Sequence, residues 1–361
     1  MISVKTKDFL RYAIAYIIVW VLAVYFIYFI RFFGIEERLH LSAPLNIDLK
    51  DRFFDTTIIG IMLGIMFILS DFILRNKWFK NHNYILNILL AIVVHGVTFA
   101  FTIFFYAFYL DSENQSIPIG EMISAIWSTS FFTTYIYFFI VIIMLNVERY
   151  VRKIFGPGVM FDIIRGKYYK PRNEERFFLF LDLINSTTYA ENLGSLKFTE
   201  LIQDCFHDVS AIVKKHEAEI YQYVGDEVIL MWVPKRGKNK NNAFNAYFSF
   251  QQLLERKKEY YLSRYGSTPK FKGGLHYGVA SVGEVGDIKK EIAYLGDAVN
   301  VAARLLDKCN QYQKYFLASK EVVDLAVEDV DLSFDFVEEV VLKGKKTPTK
   351  VFSISRKKTI S

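Results

Sequence analysis

Long apolar runs dominate the first 147 residues of the chain. Four runs approach or exceed the 20 or so residues that a helix needs to cross a bilayer, and they lie at Tyr12–Ile30, Thr56–Leu74, Tyr84–Leu110 and Met122–Val147. The first run is too long for a removable signal peptide, and no small-residue cleavage site follows it. The pattern therefore predicts an all-α membrane domain of four transmembrane helices over residues 1–147.

Charged residues around these runs predict the orientation of the chain. Basic residues lie beside three of the predicted links and ends, namely Lys5, Lys7, Arg11, Arg75, Lys77, Lys80, Arg149, Arg152 and Lys153. The link between the third and fourth spans is acidic and has no Lys or Arg. Because Lys and Arg accumulate on the cytoplasmic side, we expect a multi-pass protein of the inner (plasma) membrane with both termini cytoplasmic. Asp71 is expected to pair with Arg75, and His95 is a candidate functional residue within the membrane.

The pattern changes after Arg176. Residues 148–175 are basic and broken by glycine and proline, so we interpret them as a connector that transmits signals between the two halves. Beyond it, short apolar runs typical of strands alternate with segments of helical periodicity. The stretch IYQYVGDEVILMW, residues 220–232, predicts a β-hairpin around Gly225-Asp226. The alternation predicts an α/β (α+β) sandwich over residues 176–361.

Composition agrees with a membrane part joined to a cytosolic part. The chain of 361 residues is 52% hydrophobic and 17% aromatic, with a formal charge of +6. Loops beside a lipid bilayer account for that modest charge, so we expect no nucleic-acid partner. Cys205 and Cys309 are far apart and lack metal-ligand spacing, so we expect two reduced, buried cysteines.

Two aspartates are placed to meet at one edge of the predicted sheet. Asp182 ends the strand run RFFLFLDL, and Asp226 lies in the link of the hairpin. Paired carboxylates on rigid strands suit Mg²⁺ or Mn²⁺, which prefer oxygen ligands and share phosphate oxygens with a substrate. A helix opens just after Asp182, and a helix N-terminus binds phosphate well. These residues indicate phosphoryl transfer with two metal ions, whereas the neighbouring Glu227 is interpreted as a surface or turn residue.

Five ordered motifs carry a family resemblance: FLFLDLINSTTYAE, YVGDEVILMW, GLHYGVASVGEVG, YLGDAVNVAARL and VLKGKKTPTKVFSI. In this order and spacing they resemble the catalytic domain of class III nucleotidyl cyclases, the adenylate and guanylate cyclases. The resemblance covers about half of the chain. The membrane half is similar only in general type to the anchors often fused to such domains, and it matches no motif.

The resemblance implies a role for each matching residue. Asp182 and Asp226 would bind two Mg²⁺ or Mn²⁺ ions per site, with the carbonyl of Leu183 as a further ligand. The backbone of Leu183, Ile184, Asn185, Ser186 and Thr187 would hold the triphosphate. Asn300 and Arg304 would orient the ribose and stabilise charge on the α-phosphate, and Lys343 would contact phosphate. Each site would combine two chains, so a homodimer is implied, with ATP converted to cyclic AMP and pyrophosphate.

The sequence departs from the family at two positions that read the base. Adenylate cyclases usually have Lys where this chain has Gln222, and Asp or Thr where it has Ala293; the Glu and Cys of guanylate cyclases are also absent. ATP is favoured by its frequency in the family, while GTP or a pyrimidine nucleoside triphosphate stays open. We expect Gln222 and Asp226, four residues apart, to share one face of a strand. The alternatives are a silent nucleotide-binding membrane receptor and, more weakly, a diguanylate cyclase.

Overall fold

A computed structural model describes residues 4–30, 49–74, 90, 93–97, 129–155, 162, 165–327, 331–341 and 348–357 of the chain. The chain divides into two compact units, Met1–Val151 and Arg152–Ser361. Each unit has its own buried core.

The first unit contains three long helices in its described part: α1 (Val4–Ile30), α2 (Leu49–Leu74) and α3 (Thr129–Phe155). Two segments, Tyr12–Ile30 and Phe53–Phe72, are long and apolar enough to cross a membrane, and Phe132–Glu148 is a shorter apolar stretch. Most of the predicted span Tyr84–Leu110 lies outside the described residues. The four-span prediction is therefore not confirmed, and two helices are weak evidence for a membrane domain.

Helices α1 and α2 pack closely because two glycines face α1. A Cβ atom at Gly60 would lie 2.6 Å from the Cα of Val21, and one at Gly64 would lie 2.8 Å from the Cα of Ile17. Small residues at a helix interface allow backbones to approach in this way.

His95 is buried in the first unit. Its Nδ1 lies 2.8 Å from the Ser70 hydroxyl, and its ring stacks on Phe67 with centroids 4.8 Å apart. These contacts give His95 a packing role, and its predicted functional role stays a prediction. The proposed partner of Asp71, Arg75, lies outside the described residues.

The second unit is built on an eight-stranded sheet in the described residues. The strands are β1 (Arg172–Leu183), β2 (Glu219–Val224), β3 (Glu227–Trp232), β4 (Phe271–Val285), β5 (Glu291–Leu295), β6 (Phe316–Ser319), β7 (Leu332–Val340) and β8 (Thr349–Arg356). Their order is β2-β3-β1-β4-β6-β8-β7, with β5 paired to β4. The β4–β6 pair is parallel and the others are antiparallel.

Helices cover both faces of this sheet. They are α4 (Ser186–Lys215), α5 (Pro234–Lys238), α6 (Asn242–Arg256), α7 (Lys258–Tyr265), α8 (Asp297–Gln311) and α9 (Lys320–Val323). Side chains of successive β1 residues project from opposite faces of the sheet, because a strand has a period of two. Phe177, Leu179 and Leu181 pack in the core that includes α4 and α6, while Phe178 and Phe180 pack towards α8. The predicted α+β sandwich is confirmed.

Both cysteines of the second unit are unpaired and buried. Burial raises the pKa of the Cys205 and Cys309 thiols to about 12. The thiols are therefore protonated at neutral pH and unreactive, as the sequence predicts for buried cysteines.

A buried histidine makes the stability of the second unit depend on pH. The side chain of His216 is 6% exposed, with Nε2 2.8 Å from the Ser249 hydroxyl and Nδ1 3.3 Å from Oδ1 of Asn242. Burial lowers its pKa to about 4 from the usual 6.5. Between these values the unfolded chain binds a proton that the folded chain excludes, so the free energy of unfolding falls as the pH falls from about 6.5 towards 4.

We predict that His216→Gln removes this part of the pH dependence. In wild type, His216 should account for a loss of about 2–3 kcal/mol between neutral pH and about pH 4.5. Urea unfolding of the full-length chain at several pH values measures it. His207, which is exposed on α4, provides the control His207→Gln, which should keep the wild-type slope. An equal slope in His216→Gln and wild type would contradict the assignment.

Candidate active site

Asp182 stands at the point where three strands meet. It pairs with Glu227 of β3 on one side and with Lys272 of β4 on the other. It follows Phe180 by two residues, so its side chain projects from the sheet face that α8 covers. The ammonium of Lys272 lies 3.1 Å from Oδ2 of Asp182. Strand register therefore fixes the position of the carboxylate.

The predicted hairpin brings Asp226 next to Asp182. Val224 pairs with Glu227, which leaves Gly225 and Asp226 as a two-residue loop. Gly225 has a φ of +61°, a conformation that favours glycine at the start of such a loop. Burial raises the pKa of Asp182 against the opposing effect of Lys272, and the charge and hydrogen bond of Asp226 raise it further. The two aspartates that the sequence singles out are thus in contact.

This pair fits a hard divalent cation. Two partly buried carboxylates that repel each other favour a cation between them, and oxygen is the ligand that Mg²⁺ and Mn²⁺ prefer. In the described part of the chain, no group of three or more His, Cys, Asp or Glu side chains is arranged to hold a metal ion. The pair thus supplies only part of a coordination shell, and Mg²⁺ usually completes its shell with substrate phosphates and water.

Three charged residues beside this pair were missed by sequence reasoning. Glu227 is half-buried, and its burial raises the pKa of its carboxyl group to about 7. The negative charges of Asp182, Asp226 and Asp307 contribute to this increase. The interpretation of Glu227 as a surface or turn residue is therefore wrong, because its pairing with Asp182 turns it towards the site face. Lys272 is the cation paired with Asp182. The alternation of β3 could have located Glu227, whereas Lys272 and Asp307 come from distant segments that only the fold brings together.

The backbone after Asp182 begins α4. Asn185 adopts a left-handed conformation (φ 59°, ψ 36°) and precedes the first helical residue, Ser186. No side chain caps this end and no acidic residue lies in its first turn. The Ile184 N–H donates to the carbonyl of Lys270 at 2.9 Å, which anchors the turn. Uncapped N–H groups and the positive end of the helix dipole favour an anion here.

Asn300 and Arg304 lie one turn apart on α8, as their spacing predicts. Asn300 is exposed and Arg304 is half-buried. Helix α8 rests directly on β4 at Gly274, where a Cβ atom would lie 2.4 Å from the carbonyl oxygen of Ala302 and 2.5 Å from the nitrogen of Leu306. Close backbone contact thus sets the height of both side chains above the sheet.

The two predicted base-reading positions lie on β2 and β5. Gln222 is exposed on β2, and Ala293 lies on β5, where it pairs with Gly283 of β4. Their neighbours touch, because the Tyr294 N–H donates to the Tyr221 hydroxyl at 3.2 Å. The expectation that Gln222 and Asp226 share a strand is wrong, since β2 ends at Val224 and Asp226 lies in the turn. Lys343 lies outside the described residues.

The fold defines an α+β sandwich with helices on both faces of a mostly antiparallel sheet. The sequence model of the family described as "Adenylate and Guanylate cyclase catalytic domain" matches residues 168–355, about half of the chain. The chain therefore belongs to this family of class III nucleotidyl cyclases.

Relatives of both substrate types are similar to the chain. Adenylate cyclase 2 of Rhizobium meliloti (strain 1021) is 30% identical over 205 residues, which make up 57% of this chain and 56% of that protein. Retinal guanylyl cyclase 2 of Homo sapiens is 23% identical over 216 residues, 59% of this chain and 19% of that protein. A bacterial light-regulated adenylyl cyclase structure shares the fold, with a TM-score of 0.51 and 19% identity over 61% of this chain and 64% of that one. The matched region spans little more than half of the first relative.

We predict that Gly274→Ala destabilises the second unit by displacing α8. A methyl group at 2.4 Å from helix backbone has no room, and overpacking of this kind costs about 1–3 kcal/mol, or several degrees in Tm. Thermal unfolding of the full-length chain measures the shift. Gly283→Ala on the same strand is the control, because its Cβ would meet Pro171 at an ordinary 3.4 Å. Equal Tm values for the two variants would contradict this account of α8.

Proposed function

We propose that the protein is a membrane-anchored nucleotidyl cyclase that converts ATP to 3′,5′-cyclic AMP and pyrophosphate at sites shared by two copies of the chain. The observation that carries this proposal is the contact between Asp182 and Asp226 beside the uncapped start of α4. Such a pair suits two metal ions next to a bound triphosphate. The family membership of residues 168–355 supports the reaction class.

The reaction is an internal displacement at phosphorus. The ribose 3′-oxygen bonds to the α-phosphorus, the bond from that phosphorus to the bridging oxygen breaks, and pyrophosphate leaves while the 3′-hydroxyl proton goes to solvent. Asp182, Asp226 and the carbonyl of Leu183 would hold Mg²⁺ or Mn²⁺, which supplies Lewis acidity for the 3′-oxygen and charge neutralisation for the leaving group.

The other residues would position the nucleotide. The N–H groups from Asn185 to Thr187 would bind the triphosphate, while the Ile184 N–H stays bonded to the Lys270 carbonyl and anchors the turn. Lys272 would contribute a positive charge beside Asp182. From the partner chain, Asn300 would orient the ribose and Arg304 would stabilise charge on the α-phosphate. Fixed donors of this kind act mainly by alignment and electrostatics. Lys343 would be a further phosphate contact.

A homodimer follows from the division of these roles between two chains. The proposed metal-binding pair lies at the end of β1 and in the β2–β3 loop, and Lys272, the cation paired with Asp182, is on the same chain. Asn300 is exposed on α8, as suits a residue that serves another chain. One chain carries both halves, so two copies would form two sites with cyclic symmetry.

ATP is the proposed substrate, with GTP and pyrimidine nucleotides as alternatives. The similarity to an adenylate cyclase at 30% identity supports ATP. Gln222 leaves the choice open, because an amide both donates and accepts. A silent receptor is less well supported, since a domain without chemistry has no need for two repelling carboxylates in contact.

Anchoring in the plasma membrane, with both termini cytoplasmic, completes the proposal. The segments Tyr12–Ile30 and Phe53–Phe72 support it by length and composition. A cytoplasmic catalytic unit would have access to nucleoside triphosphates.

We predict that Asp226→Ala and Arg304→Ala are each inactive and complement each other. A mixed dimer has one intact site of two, so equal amounts of both chains should recover about a quarter of wild-type activity if dimers form at random. Cyclic AMP formation by co-expressed, purified full-length chains measures this. Asp287→Ala, an exposed carboxylate in the β4–β5 loop, is the control and should stay active. No recovery from a verified mixed dimer would contradict shared sites.

We also predict that Gln222→Ala lowers discrimination between nucleotides more than turnover. A polar group that loses its buried partner costs about 1–3 kcal/mol, so the ratio of kcat/KM for ATP and GTP should change by about five- to a hundredfold. Both constants are measured for both nucleotides with Mn²⁺. Gln252→Ala, an exposed glutamine on α6, should keep the wild-type ratio. An unchanged ratio in Gln222→Ala would assign base selection to other groups near Ala293.

A further inference from the structure

Strand β2 contains a bulge immediately before Gln222. Ile220 pairs with Leu230 and Gln222 pairs with Ile229, so Tyr221 is an extra residue without a partner position on β3. A bulge of this kind bends a strand and turns the following side chain to the other face of the sheet.

The bulge decides which face Gln222 occupies. Ile229 packs towards α8, and directly paired residues project from the same face, so Gln222 projects from the α8 face as well. Continuous pairing from Ile220 would instead oppose Gln222 to Val228, which belongs to the core on the opposite face. The bulge also leaves Val224 opposite Glu227 and thereby sets the two-residue loop that carries Asp226.

A hydrogen bond and an aromatic contact hold the bulge. The Tyr221 hydroxyl accepts from the Tyr294 N–H at 3.2 Å. The two rings meet edge to face, with centroids 5.1 Å apart. Since Tyr294 lies on β5, this contact ties the bulge to the strand that carries Ala293.

The buried Arg176 also contacts the Tyr294 ring and so supports the contact between Tyr221 and Tyr294. It is 5% exposed, its guanidinium lies 5.8 Å from the centre of the Tyr294 ring, and Nη2 pairs with Oε2 of Glu174 at 2.6 Å. Its Nη1 lies 3.9 Å from Oε2 of Glu219, the first residue of β2. Strand β2 is therefore held at its start by Arg176 and at the bulge by Tyr294.

We propose that the Tyr221 hydroxyl, bonded to the backbone of Tyr294, is the positioning group that holds the β2 bulge and so keeps Gln222 on the nucleotide-facing side of the sheet. This inference rests on the proposed role of Gln222 in base selection. Tyr221 itself acts through Gln222 and contacts no reacting atom.

Two readouts on the full-length chain in detergent test the proposal. The first is hydrogen–deuterium exchange of peptides from β2 and β5, which needs no catalytic activity. Tyr221→Phe keeps the ring and removes the acceptor, so exchange of these amides should accelerate about three- to tenfold, as for a lost hydrogen bond. Tyr223→Phe is the matched control, because that ring lies against Phe206 on the other face, and it should leave exchange of β5 unchanged. Unaltered exchange in Tyr221→Phe would contradict the proposal that the Tyr221 hydroxyl holds the β2 bulge.

The second readout is a double-mutant cycle on the ratio of kcat/KM for ATP and GTP. Tyr221→Phe should change this ratio about three- to tenfold, and it should have no further effect in a Gln222→Ala background, because the positioned group is then absent. Additive effects would overturn positioning through Gln222. If Gln222→Ala alone leaves the ratio unchanged, base selection by Gln222 fails, and the exchange measurement still decides whether Tyr221 anchors the bulge.

Discussion

Two carboxylates in contact, Asp182 and Asp226, impose the constraint on which the site depends. Like charges on adjacent carboxylates repel, and Lys272 offsets only part of this repulsion for Asp182. The packing of the surrounding sheet stabilises the fold by more than the remaining repulsion destabilises it. Phe178, Leu179 and Leu181 of β1 are fully buried, and each such side chain contributes about 1.5–3 kcal/mol. The core of the sandwich therefore supplies the free energy that keeps the carboxylates together.

The same sheet positions the second half of the site through backbone contact. At Gly274, α8 touches β4 without an intervening side chain, so the helix has little freedom to rise or tilt. Ala298, Ala302 and Leu306 fill the space beside this contact. Small residues on α8 and glycine on β4 thus fix the positions of Asn300 and Arg304. Strand register fixes the position of Asp182 in a similar way.

Local patterns in the sequence predicted the elements well and their pairing less well. Alternation along β1, helical spacing in α4 and α8, and the Gly225-Asp226 turn could all be recognised from neighbouring residues. Lys272 could not, because its approach to Asp182 depends on β4 lying beside β1, about ninety residues away in the chain. The expected shared strand of Gln222 and Asp226 failed for a different reason: a simple period of two assumes an uninterrupted strand, and β2 ends at Val224, between the two residues. The orientation of the first unit stays a prediction because charge patterns alone support it.

Part of the predicted connector is built into the core of the second unit. Tyr168 is 4% exposed and shares a cluster with Phe178 and Tyr294. Its carbonyl accepts from the Glu284 N–H at 3.0 Å, and Lys167 pairs with Asp162 and Glu174. The chain is therefore packed against the second unit at Tyr168 rather than forming a flexible linker there. Close-packed interiors transmit displacements because their side chains have little free volume in which to absorb them, and Tyr168 and Tyr294 belong to the same buried cluster. Tyr294 is bonded to the bulge before Gln222, and its strand leads through Gly296 into α8. Tyr168 thus belongs to a cluster that borders both the proposed base-reading strand and the helix of Asn300 and Arg304.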